Sequence, residues 1–176
     1  YIMLTILSLG KIGSGKSENG NAMIMKKNAF MTNDLPFACT TKITSHSNTI
    51  KGIQINYIDT MGIDDNFSDN NIKKLFYFLR NWEFGINAVF IIVNIHEPRF
   101  DSKIQRILKM INRFINNPNF WNQFGILFTR CYKNHFNREI AENNYRINVI
   151  DFVMKLPNCQ KINPLIPCFF VDSKKW

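Results

Sequence analysis

The segment Gly10–Ser17 constrains this chain more than any other, because it fits the pattern G-x-x-x-x-G-K-[ST]. An apolar run, Ile2–Leu9, precedes it, and a helix-compatible stretch from Lys16 to about Lys26 follows it. A strand, a glycine-rich turn and a helix form the setting that this pattern requires. The sequence therefore predicts a phosphate-binding loop between a buried strand and the first helix.

The residue types in this segment suit a bound polyphosphate. Glycines let the backbone approach phosphate oxygens closely, and the free N–H groups at a helix start attract anions. We expect Lys16 to neutralise the β- and γ-phosphates and the Ser17 hydroxyl to bind Mg²⁺. The predicted phosphate-binding residues are Gly10, Gly13, Ser14, Gly15, Lys16, Ser17 and Glu18.

A second motif, D-x-x-G, follows a predicted hairpin. The alternating segments Thr40–Ile50 and Ile53–Ile58 flank a turn, and Asp59–Gly62 comes directly after the second of them. In this motif the Asp holds Mg²⁺ through water, and the Gly N–H senses the γ-phosphate. Four residues match often by chance, but the position one hairpin after a phosphate loop favours the motif. The acidic, Asn-rich segment Ile63–Asn71 then resembles a mobile switch region.

The rest of the chain alternates strands with helices, which predicts right-handed crossovers and a mainly parallel sheet. At 176 residues the chain is long enough for one domain, residues 1–176, and not for two. We predict a three-layer α/β P-loop NTPase fold with one antiparallel edge strand. The remaining predicted strands are Ala88–Val93, Gly125–Thr129 and Pro167–Val171; the remaining helices run from 69 or 70 to about 82, from about 104 to 115 and from about 138 to 156.

The composition fits a cytoplasmic protein with a positively charged surface. The net charge is +9, but basic residues are dispersed along helices such as the one holding Lys103, Arg106 and Lys109. A solvated basic face is the favoured interpretation, ahead of attraction to a membrane surface, with nucleic acid least favoured. The four cysteines are scattered, which indicates reduced thiols and not disulfides or zinc.

Several motifs together resemble the immune-associated nucleotide-binding GTPases, also called GIMAP or AIG-type GTPases, which are relatives of septins and chloroplast-import GTPases. The resemblance covers essentially the whole chain. The phosphate loop followed by Gly20-Asn21 is its most specific part. The other matches are Thr41-Lys42, Asp59–Gly62, Arg99-Phe100 and Phe128-Thr129-Arg130.

The resemblance implies a Ras-like G domain that binds GTP or GDP with Mg²⁺ and hydrolyses GTP. By similarity, Thr41 is the switch threonine that binds Mg²⁺, with Thr40 or Thr44 as alternatives. The expected metal ligands are thus Ser17, Thr41 and Asp59. The residues expected beside the base are Thr129, Arg130, Cys131 and Ser173.

Three departures from the family pattern bear on activity. Tyr132 stands where the family has the Asp that reads guanine, so base specificity stays open between guanine and adenine nucleotides. Ile63 stands where Ras-type enzymes place a water-orienting glutamine, which predicts slow hydrolysis. Met61 replaces a proline common in this motif, which loosens the switch without changing its ligands.

Arg99 offers a route to faster turnover. By the resemblance, members that dimerise across the nucleotide supply this arginine to the partner's site; the alternative is a surface arginine paired with Glu97 or opening the next helix. The catalytic residues predicted are Lys16, Thr41, Gly62 and Arg99. A homodimer or oligomer through the nucleotide face is expected, with peripheral membrane association as an option. Two rival functions remain: a non-hydrolysing, GTP-dependent assembly scaffold at membranes, and an ATP-using P-loop enzyme.

Overall fold

A computed structural model of the chain describes residues 2–32, 42–63, 68–131, 138–160 and 165–172. Six strands form one sheet in the order β2-β3-β1-β4-β5-β6. Every neighbouring pair is parallel except β2 and β3, which confirms the mainly parallel sheet with an antiparallel edge strand. The strands are β1 (Ile2–Gly10), β2 (Thr44–Ile50), β3 (Ile53–Asp59), β4 (Ala88–Asn94), β5 (Phe124–Thr129) and β6 (Cys168–Phe170).

The helices lie close to their predicted positions, with differences at their ends. α1 stops at Met23 and not near Lys26, because Met25 and Asn28 have positive φ angles that a helix cannot contain. Pro118 follows the end of α3 as predicted, but it also begins a short 3₁₀-helix that the sequence pattern does not indicate. The helices are α1 (Lys16–Met23), α2 (Asp69–Arg80), α3 (Ser102–Ile115), η1 (Pro118–Gln123) and α4 (Arg138–Met154).

Two hydrophobic clusters show that helices cover both faces of the sheet. The larger one joins α2, α3 and α4 to one face and holds fully buried residues such as Trp121 and Phe124. The smaller one, Ile24, Phe30 and Tyr57, lies between α1 and the other face. The predicted three-layer arrangement is therefore confirmed. Within the described part of the chain, no helix has the length and apolar character needed to cross a membrane.

The sheet brings the predicted motifs to one edge. Because β1, β3, β4 and β5 are parallel, their carboxyl ends meet at the same side of the molecule, with Gly10, Asp59 and Thr129 as the last residues of three of these strands. β1 lies between β3 and β4: the chain passes from β1 through α1 to β2 and β3 on one side, and then from β3 through α2 to β4 on the other. In open α/β sheets, ligands bind in the crevice at such a switch point.

Candidate nucleotide-binding site

The phosphate loop has the backbone that its glycines predict. Gly13 and Gly15 have φ angles of 72° and 90°, in the left-handed region that glycine favours, and Gly15 is the N-cap of α1. Gly10 is required for a different reason: a Cβ atom there would lie 2.5 Å from the carbonyl oxygen of Ile92. The loop therefore turns tightly into α1, with the helix N-terminus at the carboxyl edge of the sheet, where an anion binds well.

Lys16 is buried in this loop, with 5% of its surface exposed. Its Nζ donates hydrogen bonds to the carbonyl oxygens of Lys11 (2.8 Å) and Gly10 (3.1 Å). Burial lowers the pKa of Lys16 to about 8, although the nearby Asp59 charge acts in the opposite direction. The charge of Asp59 offsets only part of the cost of burying the Lys16 amine. A bound anion would therefore stabilise the charged form of Lys16.

Ser17 and Asp59 come together as the sequence predicts. The Ser17 hydroxyl donates to Oδ2 of Asp59 at 2.6 Å, and Asp59 is 1% exposed. Oxygen ligands of this kind suit Mg²⁺, which usually keeps several waters and takes its other ligands from substrate phosphates. The described residues hold no group of three or more His, Cys, Asp or Glu that could bind a metal alone. Two oxygen ligands beside a phosphate loop fit magnesium carried by a nucleotide.

The start of the D-x-x-G switch segment is paired with the phosphate loop. The N–H of Ile63 donates to the carbonyl oxygen of Gly10 at 3.0 Å, and Lys11 and Ile63 form a parallel bridge. Gly62 lies so close to Ile12 that a Cβ atom on it would be 2.4 Å from Cγ1 of Ile12. The Ile63 side chain is buried in the main core, which agrees with the absence of a water-orienting group at this position.

Lys11 also connects the loop to the segment that carries Arg99. Its Nζ lies 2.5 Å from Oδ2 of Asp101, whose Oδ1 accepts from the backbone N–H groups of Lys103 and Ile104 and so caps α3. Burial would raise the pKa of Asp101, but the hydrogen bonds from Lys11 and Ile104 outweigh it and lower the pKa. Neither interaction of Asp101 was predicted from the sequence. The cap could have been, because an Asp before an amphipathic helix is a recognisable start signal.

Arg99 is exposed at the surface, two residues before that cap. Phe100, which follows it, packs its ring edge against Tyr145 and Phe152 of α4. The segment is thus anchored in the core at Phe100 and on the phosphate loop at Asp101. Arg99 is exposed to solvent next to this anchor.

The expected base-binding segment contributes contacts to the phosphate loop. The Thr129 hydroxyl donates to the Ser14 carbonyl oxygen at 2.7 Å, and Thr129 lies against Gly15. Arg130 is exposed, with a φ of 59°. The Cys131 side chain is buried in the core, and its Sγ donates to the carbonyl oxygen of Phe128. A role of Thr129, Arg130 and Cys131 at the base remains a prediction.

Some of the predicted site falls outside the described residues. This applies to the switch threonine Thr41 and its alternative Thr40, to Ser173 and to Tyr132. The other alternative, Thr44, is exposed at the start of β2 and pairs with Asp59 in the strand register. Glu18 is half-buried in the first turn of α1.

Several residues between α1 and β3 support the position of α1, and this role was not predicted from the sequence. The Tyr57 hydroxyl donates to the Lys16 carbonyl oxygen at 3.1 Å, and burial raises the pKa of Tyr57 far above its ordinary value. Gly20 is needed because a Cβ atom would lie 2.7 Å from the Tyr57 ring. Asn21 accepts from the Phe30 N–H and donates to its carbonyl oxygen. The Gly20-Asn21 pair therefore supports the position of α1.

Three solved structures of Toc33 from Arabidopsis thaliana are similar in fold to this chain. A dimerisation-deficient variant gives a TM-score of 0.77 at 18% identity, over 97% of this chain and 71% of that one. The complex with GDP and Mg²⁺ gives 0.76 at 17% identity, over 98% and 72%. The complex with Mg²⁺ and GMPPNP gives 0.74 at 18% identity, over 97% and 71%.

At the level of sequence, a comparison with curated proteins finds no match. The model of the AIG1 family, however, matches residues 4–151, which is most of the chain and includes the phosphate loop, the D-x-x-G motif and Arg99. This match agrees with the motifs, the fold and the site geometry. The chain belongs to the AIG1 family.

Proposed function

We propose that this AIG1-family GTPase is a Mg²⁺-dependent molecular switch that binds GTP and GDP and hydrolyses GTP slowly. The observation that carries the proposal is the convergence of Lys16, Ser17 and Asp59 at the end of a glycine-bent loop. The complexes of Toc33 with GDP or GMPPNP and Mg²⁺ support the choice of ligands. The nucleotide would lie at the carboxyl edge of the sheet, against the N-terminus of α1.

The residues of this chain divide the work of binding and cleavage. The loop from Gly13 to Ser17 wraps the phosphates, and Lys16 donates to them as a cation. Ser17 and Asp59 would hold Mg²⁺, which would supply further positive charge for phosphoryl transfer. The Gly62 N–H would sense the γ-phosphate after leaving its contact with Ile12. Slow turnover follows because Ile63 is aliphatic and buried and orients no water.

Nucleotide competition tests the choice of guanine. Labelled GTP bound in the presence of Mg²⁺ should be displaced by GTP or GDP but not by a hundredfold excess of ATP. Ser17→Ala, which removes a proposed Mg²⁺ ligand, should abolish the difference between Mg²⁺ and EDTA without changing the base preference. Equal displacement by ATP would favour an ATP-using enzyme and contradict this part of the proposal.

Dimerisation across the nucleotide is the second part of the proposal, with Arg99 entering the partner's site. Arg99 is exposed beside the phosphate loop. Dimerisation is important for the GTPase activity of the chloroplast translocon components atToc33 and psToc159, and a structure solved for these proteins is similar in fold to this chain. An arginine supplied by a partner can accelerate phosphoryl transfer by roughly 10³–10⁵.

The rate of phosphate release at rising protein concentration tests this role. Specific activity should increase with concentration, and Arg99→Ala should hold it at the low basal level without weakening GDP binding. The matched control is Arg113→Ala. Arg113 is also exposed, but it lies in the last turn of α3, far from the phosphate loop. A specific activity that does not change with protein concentration would rule out this role of Arg99. GTP-dependent self-association without any phosphate release would favour the assembly scaffold.

The net charge of the protein bears on where in the cell it acts. We infer a cytoplasmic protein that associates peripherally with intracellular membranes. The net charge of +9 supports attraction to the anionic surface of such membranes.

A further inference from the structure

The positive charge of the protein is concentrated on two helices. α2 and α3 together contain seven basic residues and one acidic residue, so they hold +6 of the net charge of +9. The acidic residue, Asp69, is paired with Arg106 of the neighbouring helix. Most of the basic side chains are exposed, which makes this side of the molecule strongly cationic: Lys73, Lys74, Arg80, Arg106, Lys109 and Arg113.

Contacts between α2 and α3 make one continuous surface of them. The Asp69–Arg106 pair joins their first halves, and the rings of Phe76 and Phe114 stack at 4.0 Å toward their ends. The two contacts advance along both helices in the same direction, so the helices run parallel. Lys73 lies one turn after Asp69, and Arg80 lies one turn after Phe76, which places both basic residues along the seam.

Exposed aromatic rings accompany the basic residues. Tyr77 is 74% exposed, Phe84 54% and Phe114 44%, although side chains of this size are usually more buried. Phe84 is held at the end of α2 by an edge contact with Trp82, which stacks on Phe78. We define the α2–α3 face by these rings and the basic residues nearest them: Lys73, Lys74, Tyr77, Arg80, Phe84, Arg113 and Phe114.

We propose that the α2–α3 face docks the protein on an anionic phospholipid bilayer; this proposal rests on the proposed membrane association and names its surface. Basic residues near a bilayer gain attraction from anionic lipids, and aromatic rings favour the boundary between headgroups and acyl chains. Double-stranded nucleic acid is usually read by one element inserted in a groove. Two helices side by side present a broad surface, which suits a bilayer better.

The part of the face at the C-terminal ends of α2 and α3 lies away from the nucleotide site. The N-terminal end of α3 contacts the phosphate loop through Asp101 and Lys11, whereas Arg113 and Phe114 lie in its last turn. At 1.5 Å per residue, those residues are about 20 Å along the helix from the loop. Arg113 and Phe114 therefore lie well away from Arg99 and the phosphate loop, whereas Lys73 and Lys74, in the second turn of α2, lie nearer to them.

Cosedimentation of the GDP-bound protein with vesicles tests the proposal. Binding should be strong with phosphatidylserine–phosphatidylcholine vesicles, weak with phosphatidylcholine alone, and reduced by salt. Lys73→Glu/Lys74→Glu should weaken binding to the anionic vesicles at least tenfold, and Tyr77→Ser should weaken it severalfold. Lys27→Glu/Lys51→Glu removes the same net charge from exposed sites outside this face and should retain most of the binding.

The outcomes separate the surface from the membrane association itself. Equal losses in both double variants would mean that net charge alone acts, and the α2–α3 face would be rejected while membrane association stood. Failure of the unmodified protein to bind anionic vesicles would overturn both, and would leave the GTPase assays unaffected. Preferential binding of a short RNA, lost in Lys73→Glu/Lys74→Glu, would assign the face to nucleic acid and overturn the bilayer.

Discussion

Replacing Lys16 with methionine is expected to weaken nucleotide binding strongly while leaving the nucleotide-free protein about as stable as before. Among the described residues, this amine is the one buried side-chain cation of the phosphate loop, with hydrogen bonds to Gly10 and Lys11. Truncating one partner of a buried charge pair costs about 2–5 kcal/mol, so the affinity for GDP should fall by roughly thirtyfold to a few thousandfold. Titration with a fluorescent GDP analogue measures this loss.

The stability of the same variant follows from the burial of the amine. A pKa lowered from 10.5 to about 8 corresponds to a cost on the order of 3 kcal/mol for keeping Lys16 charged at neutral pH. Methionine removes this cost but leaves two carbonyl oxygens without their donor, at about 1–3 kcal/mol. Thermal unfolding should therefore change little. A strongly destabilised Lys16→Met would contradict this account; Lys27→Met, at an exposed position, is the control for both measurements.

Gly62→Ala is expected to destabilise the protein and to disturb nucleotide binding. A Cβ atom at residue 62 would lie 2.4 Å from Cγ1, 2.8 Å from Cα and 2.9 Å from N of Ile12, so the phosphate loop or the switch segment must move. Such overpacking costs about 1–3 kcal/mol. For a chain of this size, that lowers the melting temperature by roughly 2–12 °C. The hydrogen bond from Ile63 to Gly10 should weaken as the two segments separate.

A second glycine separates steric crowding from backbone strain. Gly85 has a φ of 66°, but a Cβ atom at this residue would meet no neighbour within 4 Å, so Gly85→Ala tests strain without a clash. It should lower stability modestly and leave GDP dissociation unchanged, whereas Gly62→Ala should change both. Adding Ile12→Ala to Gly62→Ala should rescue only part of the loss, since two of the three contacts are with backbone atoms. An unchanged Gly62→Ala protein would contradict the crowding.

The sequence predicted the fold and the proximity of the phosphate loop to Asp59 because both depend on local patterns. The periodicity of apolar residues predicted the helices and strands, and the spacing of glycines predicted the phosphate loop. Because β1 and β3 are parallel, this loop and Asp59 lie at the same edge of the sheet. The end of α1 was missed because it depends on positive φ angles at Met25 and Asn28, which no apolar pattern reports. The 3₁₀-helix was missed although its start signal is local: the Asn117 side chain accepts from the Asn119 N–H, and Pro118 is the first residue of the helix.

The supporting contacts were beyond sequence reasoning for a similar cause. Tyr57 bonds to Lys16 across 41 residues, and Thr129 bonds to Ser14 across 115. Such pairs arise from strand order, and strand order is not visible in the spacing of motifs. Gly20 and Asn21 show the converse case: the motif was recognised, but its reason, close packing against Tyr57 and Phe30, became clear only from the structure.

The ion pair between Lys11 and Asp101 has a consequence for how quickly two copies can cooperate. It joins the loop that receives the nucleotide to the residue that begins α3, so the segment before α3 needs no ordering when a second copy arrives. A preorganised segment loses less conformational entropy on association than a disordered one. In the proposed dimer, the encounter of two such molecules would then depend mainly on diffusion and orientation.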